Sequence, residues 1–416
     1  MRTWLAISKR AMKNRAYIIP PDNCMGCGLC ANLCSQNAIE MVWSQNGFLE
    51  PEVDIAKCVG CGICSKLCIA KHRLALDTGM SDVISYAAWS KDKGMQRMSS
   101  SGGVFSSIAE MIISSGGVVY GVKWQDKCTA AFTKVTKLSE LMSIRGSKYV
   151  QAHPGYVYRE VHSSLKEGKR VLFAGTACQV HALKSYLRKD YDDLVCLEIL
   201  CHGVPSRLLM ERYVAEHESS TGKIVDKINF RDKTEGWEQY RITCHYTDGT
   251  AESESLGESN YMGLFLSDLA LNEGCYSCPF AGWPRQGDLT LGDYWGIPKQ
   301  EFATEVCKDG VGSLIVNSEQ GRKLLHEICE KQLVETKRQP FARIFRGQPR
   351  TFVRTGRMHG KVRRKLLAEL HSSTLHDCMR RYGDWYRWWI FGINRRGIVY
   401  RLIKSLRDKI NSLKRG

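Results

Sequence analysis

The residues best suited to chemistry lie between positions 24 and 68. Cys24, Cys27, Cys30 and Cys34 read C-x-x-C-x-x-C-x-x-x-C, and Cys58, Cys61, Cys64 and Cys68 repeat the same spacing. Thiolates at these intervals wrap four-iron cubanes, three from one run and the fourth crossing over from the other. The spacing therefore assigns Cys24, Cys27, Cys30 and Cys68 to one [4Fe–4S] cluster, and Cys58, Cys61, Cys64 and Cys34 to a second. Gly26, Gly28, Gly60 and Gly62 permit the positive φ and close N–H approach that a tight loop around sulfur needs. A zinc ribbon would instead use two separated C-x-x-C pairs.

The pattern is that of bacterial two-cluster ferredoxins, with one departure. The proline that usually follows the fourth cysteine is replaced by Ser35 and by Ile69, positions that shape the chain's exit and do not bind iron. A further pair, Cys275 and Cys278, forms a lone C-x-x-C, which is half of a metal site or a redox dithiol. Pro279 and the Gly-Trp-Pro stretch that follows suit a thioredoxin-like pair poorly. Cys178 and Cys201 are each expected in a loop just past a strand, at the carboxyl edge of one sheet, where ligands usually bind. They are the best candidates to complete a third [4Fe–4S] site. The alternative is two buried free thiols beside a zinc or redox C-x-x-C. Cys196 is expected inside its strand, and Cys128, Cys196, Cys244, Cys307, Cys329 and Cys378 read as small core residues.

The 416 residues include 18 cysteines. No N-terminal apolar segment resembles a secretory signal, since Met1 to Arg15 is short and interrupted by Lys9, Arg10, Lys13 and Arg15. Reduced, metal-serving thiols in a cytoplasmic protein are expected, not a disulfide framework. No run reaches the roughly 18 apolar residues of a membrane span. The net charge is +17, and most of it lies from Lys361 to the end, where 15 Lys and Arg face only Glu369, Asp377, Asp384 and Asp408.

Those thiols need a scaffold, and the chain divides accordingly. Residues 16–78 form the two-cluster module, in which Ala38 to Val42 alternates as a strand would, and Asp77 to Asp82 reads as a linker. From residue 83 to about 340, apolar strands at Val118–Val122, Val171–Ala174 and Leu194–Ile199 alternate with helices. One carries Val104, Phe105, Ile108, Met111 and Ile112, the next Val157, Val161 and Leu165, and a third Val180, Leu183 and Leu187. Beyond Lys223 the texture is more β-like, with a turn at Asp248-Gly249. The fold class is α/β (α+β overall): a small N-terminal ferredoxin-like dicluster module, an α/β core with a mostly parallel sheet, and a helical basic C-terminal tail. There is no G-x-G-x-x-G after a strand, hence no basis for a Rossmann-type NAD site. Ser99 to Gly103 ahead of a helix is a phosphate cradle in form, though Ser-Gly runs also serve as plain caps. Lys148 taken alone reads as a solvated surface lysine.

Six stretches occur in order: Ser100-Ser101-Gly102-Gly103-Val104-Phe105, Gly146-Ser147-Lys148-Tyr149-Val150-Gln151, Gly175-Thr176-Ala177-Cys178-Gln179, Cys201-His202-Gly203-Val204-Pro205-Ser206, Phe230-Arg231-Asp232-Lys233 and Asp288 to Gly296. Together they resemble the coenzyme F420 hydrogenase/dehydrogenase beta-subunit family, here with a fused N-terminal ferredoxin. The resemblance covers roughly residues 16–340. It implies an FAD held by Ser100, Ser101, Gly102, Gly103, Ser147, Lys148 and Thr176, and a core [4Fe–4S] cluster on Cys178, Cys201, Cys275 and Cys278. Some members reduce deazaflavin F420 and others different substrates, including a chlorophyll derivative. The expected function is an iron–sulfur flavoprotein oxidoreductase that exchanges electrons with a ferredoxin-like donor or acceptor and transfers a pair to a small-molecule substrate. The alternative is a relay subunit serving a separate catalytic partner. His202, beside Cys201, is the candidate proton donor, with a structural histidine as the other reading. Asp288 and Asp293 read as cofactor ligands or turn caps.

The basic tail, residues 361–416, falls outside the resemblance. Trp385, Tyr386, Trp388, Trp389, Ile390 and Phe391 cluster between arginines, and Ile398, Leu402, Leu406 and Ile410 share one helical face. This is the pattern of an interfacial helix on an anionic membrane surface. An acidic protein partner and a plain amphipathic helix packed on the core are the other readings. The membrane reading would make the protein peripheral to the inner face. No recognised nucleic-acid-binding fold accompanies the charge.

Overall fold

Runs of apolar residues too short for helices build the centre of the protein. A computed structural model describes residues 22–71, 83–353 and 360–383. The basic lead-in, the linker at 77–82, the aromatic cluster at 385–391 and the helix carrying Ile398 to Ile410 lie outside the described residues. The strands are β1 (Ile39–Trp43), β2 (Leu49–Val53), β3 (Ile84–Ser90), β4 (Val118–Trp124), β5 (Ala130–Val135), β6 (Ala152–His153), β7 (Val171–Thr176), β8 (Leu194–Ile199), β9 (Val225–Asp232), β10 (Arg241–Tyr246), β11 (Ala251–Ser255), β12 (Leu289–Asp293), β13 (Gly312–Val316) and β14 (Val334–Arg338).

Nine of them form one sheet in the order β14-β3-β13-β12-β8-β7-β4-β5-β6. Its centre, β12-β8-β7-β4, is parallel. β13, β3 and β14 extend one flank antiparallel, and β5 pairs antiparallel with β4 on the other. The expected α/β layering is present, but the sheet is mixed rather than mostly parallel: apart from the short β5–β6 pair at one edge, its parallel pairs lie at the centre, where strands are covered on both faces. Alternate residues show the two faces. Leu172, Val195, Leu197 and Leu289 pack with helix Val104–Ser114 and with Leu324, Leu325 and Ile328 of helix Glu319–Glu330. Val171, Phe173, Leu194 and Cys196 pack on the other side with helices Val157–Lys166 and Ala177–Leu187.

A smaller antiparallel sheet, β11-β10-β9, carries a second core. Helix Arg207–Thr221 and helices Gly360–Glu369 and Leu375–Tyr382 cover it, burying Leu366, Leu367, Leu370, Leu375, Cys378 and Met379. Residues 360–383, grouped with the basic tail on charge, thus pack as part of the core. Their apolar residues recur on one face, and the exposed cations around them dominate only the count.

The N-terminal module is the β1–β2 hairpin with helices Leu29–Leu33 and Ile63–Lys66. It docks on the start of helix Val157–Lys166. Asn32 Nδ2 donates to Gly155 O (2.9 Å), and Asn32 Oδ1 accepts from the Tyr158 N–H (3.1 Å). The Arg159 guanidinium donates to the carbonyls of Asn32, Ala31 and Cys34 (2.8, 2.9 and 2.6 Å), and Tyr158 O–H donates to Cys27 O (2.7 Å). At Gly28, φ is +74°, and a Cβ would stand 2.4 Å from Pro154, so only glycine fits the seam.

The loop bearing Cys275 and Cys278 is tied to the sheet by charge. Glu198, fully buried on β8, pairs with Arg285, and its Oε2 accepts from the backbone N–H groups of Gln286 (2.7 Å) and Gly287 (3.1 Å). Removing one member of a buried pair strands the other charge. Glu198→Ala is expected to lower unfolding free energy by about 3–5 kcal/mol, read as a shifted urea midpoint at unchanged slope.

Candidate functional site

Both cysteine runs turn on glycines in the left-handed region. Gly26, Gly28, Gly60 and Gly62 have φ between 64° and 74°, and Gly28 and Gly62 are the N-caps of the two short helices. The sulfurs of the first predicted set are mutual neighbours. Burial pushes the Cys24 thiol up to about 11, and the Cys68 thiol adds to the push. Cys27 and Cys30 are raised further by burial, with Cys24 and Cys68 acting on each. In the second set Cys64 is buried and packs with Cys34, alongside Cys30 and Cys68, in one small apolar cluster. Cys58 and Cys61 lie on the loop ahead of helix Ile63–Lys66, with Cys61 exposed.

The core cysteines come from three places. Cys178 lies in the first turn of helix Ala177–Leu187, not in the loop expected from sequence, because Gln179 reaches back to the Thr176 N–H (2.9 Å) and starts the helix early. Thr176 Oγ1 is 3.3 Å from Cys178 Sγ. Cys201 follows β8, and Cys275 lies in the short helix Glu273–Tyr276. Burial drives the Cys178 thiol well above its usual range, and the thiols of Cys278, Cys201 and Cys27 push the same way. Cys275 is raised by burial and by Cys201, Cys278 and Cys178. The fold thus brings the four cysteines singled out from sequence into one neighbourhood, and Cys27 of the N-terminal module borders it. Cys27, Cys178 and Cys278 all pack against the same apolar cluster. No group of three or more Cys, His, Asp or Glu side chains among the described residues is placed to hold a single metal ion. Of the remaining cysteines, Cys196, Cys244 and Cys378 are buried as expected. Cys128, Cys307 and Cys329 are only half-buried.

Beside these thiols, at the carboxyl edge of the parallel strands, opens a cavity of about 340 Å³. Its wall includes all seven residues that the resemblance assigned to flavin, together with Cys178, Cys201, His202 and Met25 of the module. The cradle is built tightly. Gly102 passes β3 so closely that a Cβ would stand 2.3 Å from Ala88 O, and Gly103 (φ +84°) opens helix Val104–Ser114 with no side chain capping its N–H groups. Ser100 Oγ accepts from the Ser147 N–H (2.7 Å), which ties the two flavin segments together. Lys148 is half-buried rather than solvated. Its ammonium donates to Arg145 O (3.1 Å) and Gly146 O (3.2 Å), and burial pulls its pKa down to about 8.

Sequence reasoning missed what holds the cradle. The Lys233 ammonium donates to Gln96 O (3.0 Å), Ser101 O (2.7 Å) and Asp309 O (2.6 Å), and burial first, then Arg231, lowers its pKa to about 7. Arg231 forks onto Asp293 (2.7 and 3.1 Å) and lies 4.1 Å from the Tyr240 ring centre. Trp237 Nε1 donates to the same carboxylate (3.0 Å). Asp293, on the cavity wall, is therefore already neutralised. Asp288 is structural, accepting from the Cys196 N–H (2.8 Å) and the Ser318 hydroxyl (2.7 Å). The signal for Lys233 was its place in a quoted motif, but a lone lysine carries no mark of burial. His202 Nε2 lies 2.8 Å from Asp268 Oδ1, and its ring stands edge-on to Phe265.

Comparison with known proteins agrees with this layout. Residues 23–71 match the 4Fe-4S dicluster domain. Residues 85–156 match the N-terminal part, and residues 168–340 the C-terminal part, of the coenzyme F420 hydrogenase/dehydrogenase beta subunit. No curated protein matches. Among solved structures, a chain of the F420-reducing [NiFe] hydrogenase complex from Methanosarcina barkeri is similar at 15% identity and a TM-score of 0.46, covering 74% of this chain and 95% of that one. With both parts of the subunit matched over more than half its length, this chain belongs to the coenzyme F420 hydrogenase/dehydrogenase beta-subunit family and carries an iron–sulfur dicluster domain ahead of it.

Proposed function

We propose that the protein is an iron–sulfur flavoenzyme that takes electrons from a ferredoxin-like carrier at its N-terminal domain and delivers them in pairs to a small-molecule substrate at the cavity. The observation that carries this reading is the neighbourhood of Cys27 and Cys178, the latter on the cavity wall beside Met25 and Gly26 of the module. Cys24, Cys27, Cys30 and Cys68, then Cys58, Cys61, Cys64 and Cys34, would hold two [4Fe–4S] clusters, and Cys178, Cys201, Cys275 and Cys278 a third. The donor set fits, because the fold gathers these thiols within reach of one another, and thiols bind such clusters as thiolates with release of their protons. When bound, such clusters and an FAD supply one-electron and two-electron chemistry respectively, which no side chain offers.

The chain's own residues would position the flavin. Open N–H groups at the start of helix Val104–Ser114 and the Lys148 ammonium suit a diphosphate. Lys148 has no carboxylate partner among the described residues. Lys233 fixes the Ser99–Gly103 loop, and Asp293, already paired, adds no free negative charge to the cavity. His202, which lines the cavity with Asp268 behind it, would be the proton donor at the substrate end. The second reading, a relay to a separate catalytic partner, is favoured by the family's being a subunit. A dithionite-reduced chain that reduces only artificial dyes would favour the relay.

Anaerobically purified protein is expected to contain about twelve irons per chain and one FAD. About eight irons or fewer with no flavin would overturn the proposal. The ammonium of Lys148 is charged below about pH 8 and neutral above it, so flavin affinity should weaken as pH rises from 7 to 9. Lys148→Met should remove this pH dependence and cost about tenfold or more in affinity, since hydrogen bonds to charged groups are worth about 1.5–3 kcal/mol. Flavin fluorescence titration reads both.

A further inference from the structure

We infer that Arg363, on helix Gly360–Glu369, is a positioning residue that keeps the core cysteines in register with the dicluster domain. This rests on the reading of Cys178, Cys201, Cys275 and Cys278 as ligands of a core cluster. The helix lies beyond residue 340, where the family match ends.

Arg363 is a buried cation, only 6% exposed. Its Nε donates to Leu271 O at 2.9 Å, and its Nη1 lies 3.8 Å from Glu273 Oε2. Its guanidinium carbon is 5.5 Å from the Phe48 ring centre and 6.0 Å from that of Tyr276. Each contact belongs to a different part of the cysteine framework. Phe48 leads into β2 of the dicluster module. Leu271 is where the two core loops join: it forms an antiparallel bridge with Pro205, while the Asn272 N–H donates to Val204 O (2.8 Å) and the Ser206 N–H to Ala270 O (2.8 Å). Asn272 then caps the short helix bearing Cys275, accepting from the Gly274 N–H on its side chain (2.9 Å) and from the Cys275 N–H on its carbonyl (3.0 Å). A Cβ on Gly274 would stand 2.5 Å from Asn23 O, so the same turn abuts the loop of Cys24.

One guanidinium therefore touches the dicluster hairpin, the junction of the Cys201 and Cys275 loops, and the helix that carries Cys275. A buried cation is costly unless its donors are used, and a planar fork satisfies several directions at once in a way an ammonium does not. Leu366, Leu367 and Leu370 embed the helix in the smaller sheet's core, so the guanidinium is held against these partners.

The test uses the full chain, purified anaerobically, with iron analysis and electron paramagnetic resonance of the dithionite-reduced protein. Arg363→Met keeps the aliphatic stem and is expected to lose about four of about twelve irons, together with one resonance component, while the dicluster signals stay. Arg363→Lys should regain the iron but with a shifted core signal. A Met variant with full iron and the wild-type spectrum overturns the inference, as does joint loss of core and dicluster signals in both variants. Should the Met variant be insoluble, an unshifted core signal in the Lys variant overturns it equally. Wild-type protein with only about eight irons would refute the core cluster itself, and with it the role of Arg363. Full wild-type iron beside an unaffected variant refutes the inference alone.

Discussion

A thiol buried away from water resists ionisation, and several buried side by side resist it more. That constraint governs the junction between the two parts of this protein. Cys24, Cys27 and Cys30 on one side, and Cys178 and Cys275 on the other, are all held up by burial and by one another. Left to themselves these thiols stay protonated, and only a cation close by would favour their thiolate form. The surrounding structure serves to keep the sulfurs there regardless. Arg159 grips three carbonyls of the first cysteine helix, Glu198 and Arg285 pin the Cys275–Cys278 loop to β8, and glycines at 26 and 28 let the module seat without a side chain in the way.

The cavity follows the same economy of charge. Its carboxylate, Asp293, is consumed by Arg231 and Trp237, while among the described residues its lysine, Lys148, donates to backbone carbonyls and to no carboxylate. A low-dielectric pocket with an uncompensated cation and open helix N–H groups favours an anion. The polarity of the site is therefore set by residues behind its wall as much as by those on it.

Much of this was legible in the chain. The two C-x-x-C-x-x-C-x-x-x-C runs carry their meaning in spacing, because ligand geometry around iron is stringent. The strands at Val171 and Leu194 were readable as unbroken apolar runs, and placing Cys178 and Cys201 after them brought both to one sheet edge. Three things were not readable. The antiparallel flank of β13, β3 and β14 depends on pairing between residues more than 200 positions apart, which no local pattern encodes. The burial of Lys233 and Arg231 arises from partners on other elements, so single-residue priors misjudge them. And the helices at 360–383 were hidden by their charge: Leu366, Leu370, Leu375 and Met379 bury one face while cations crowd the other.

The pairing of β3 with both β13 and β14 has a temporal side. During synthesis the dicluster module leaves the ribosome before the large sheet, and its β1–β2 pairing joins residues close in the chain, although its docking contacts wait for Gln151 to Arg159. The large sheet cannot close until Val334–Arg338 has emerged to cover Ile84–Ser90, so β3 waits with an unsatisfied edge while some 240 residues are made. Pairing of β1 with β2 is thereby available early in synthesis, while closure of the large sheet is postponed to the end of it.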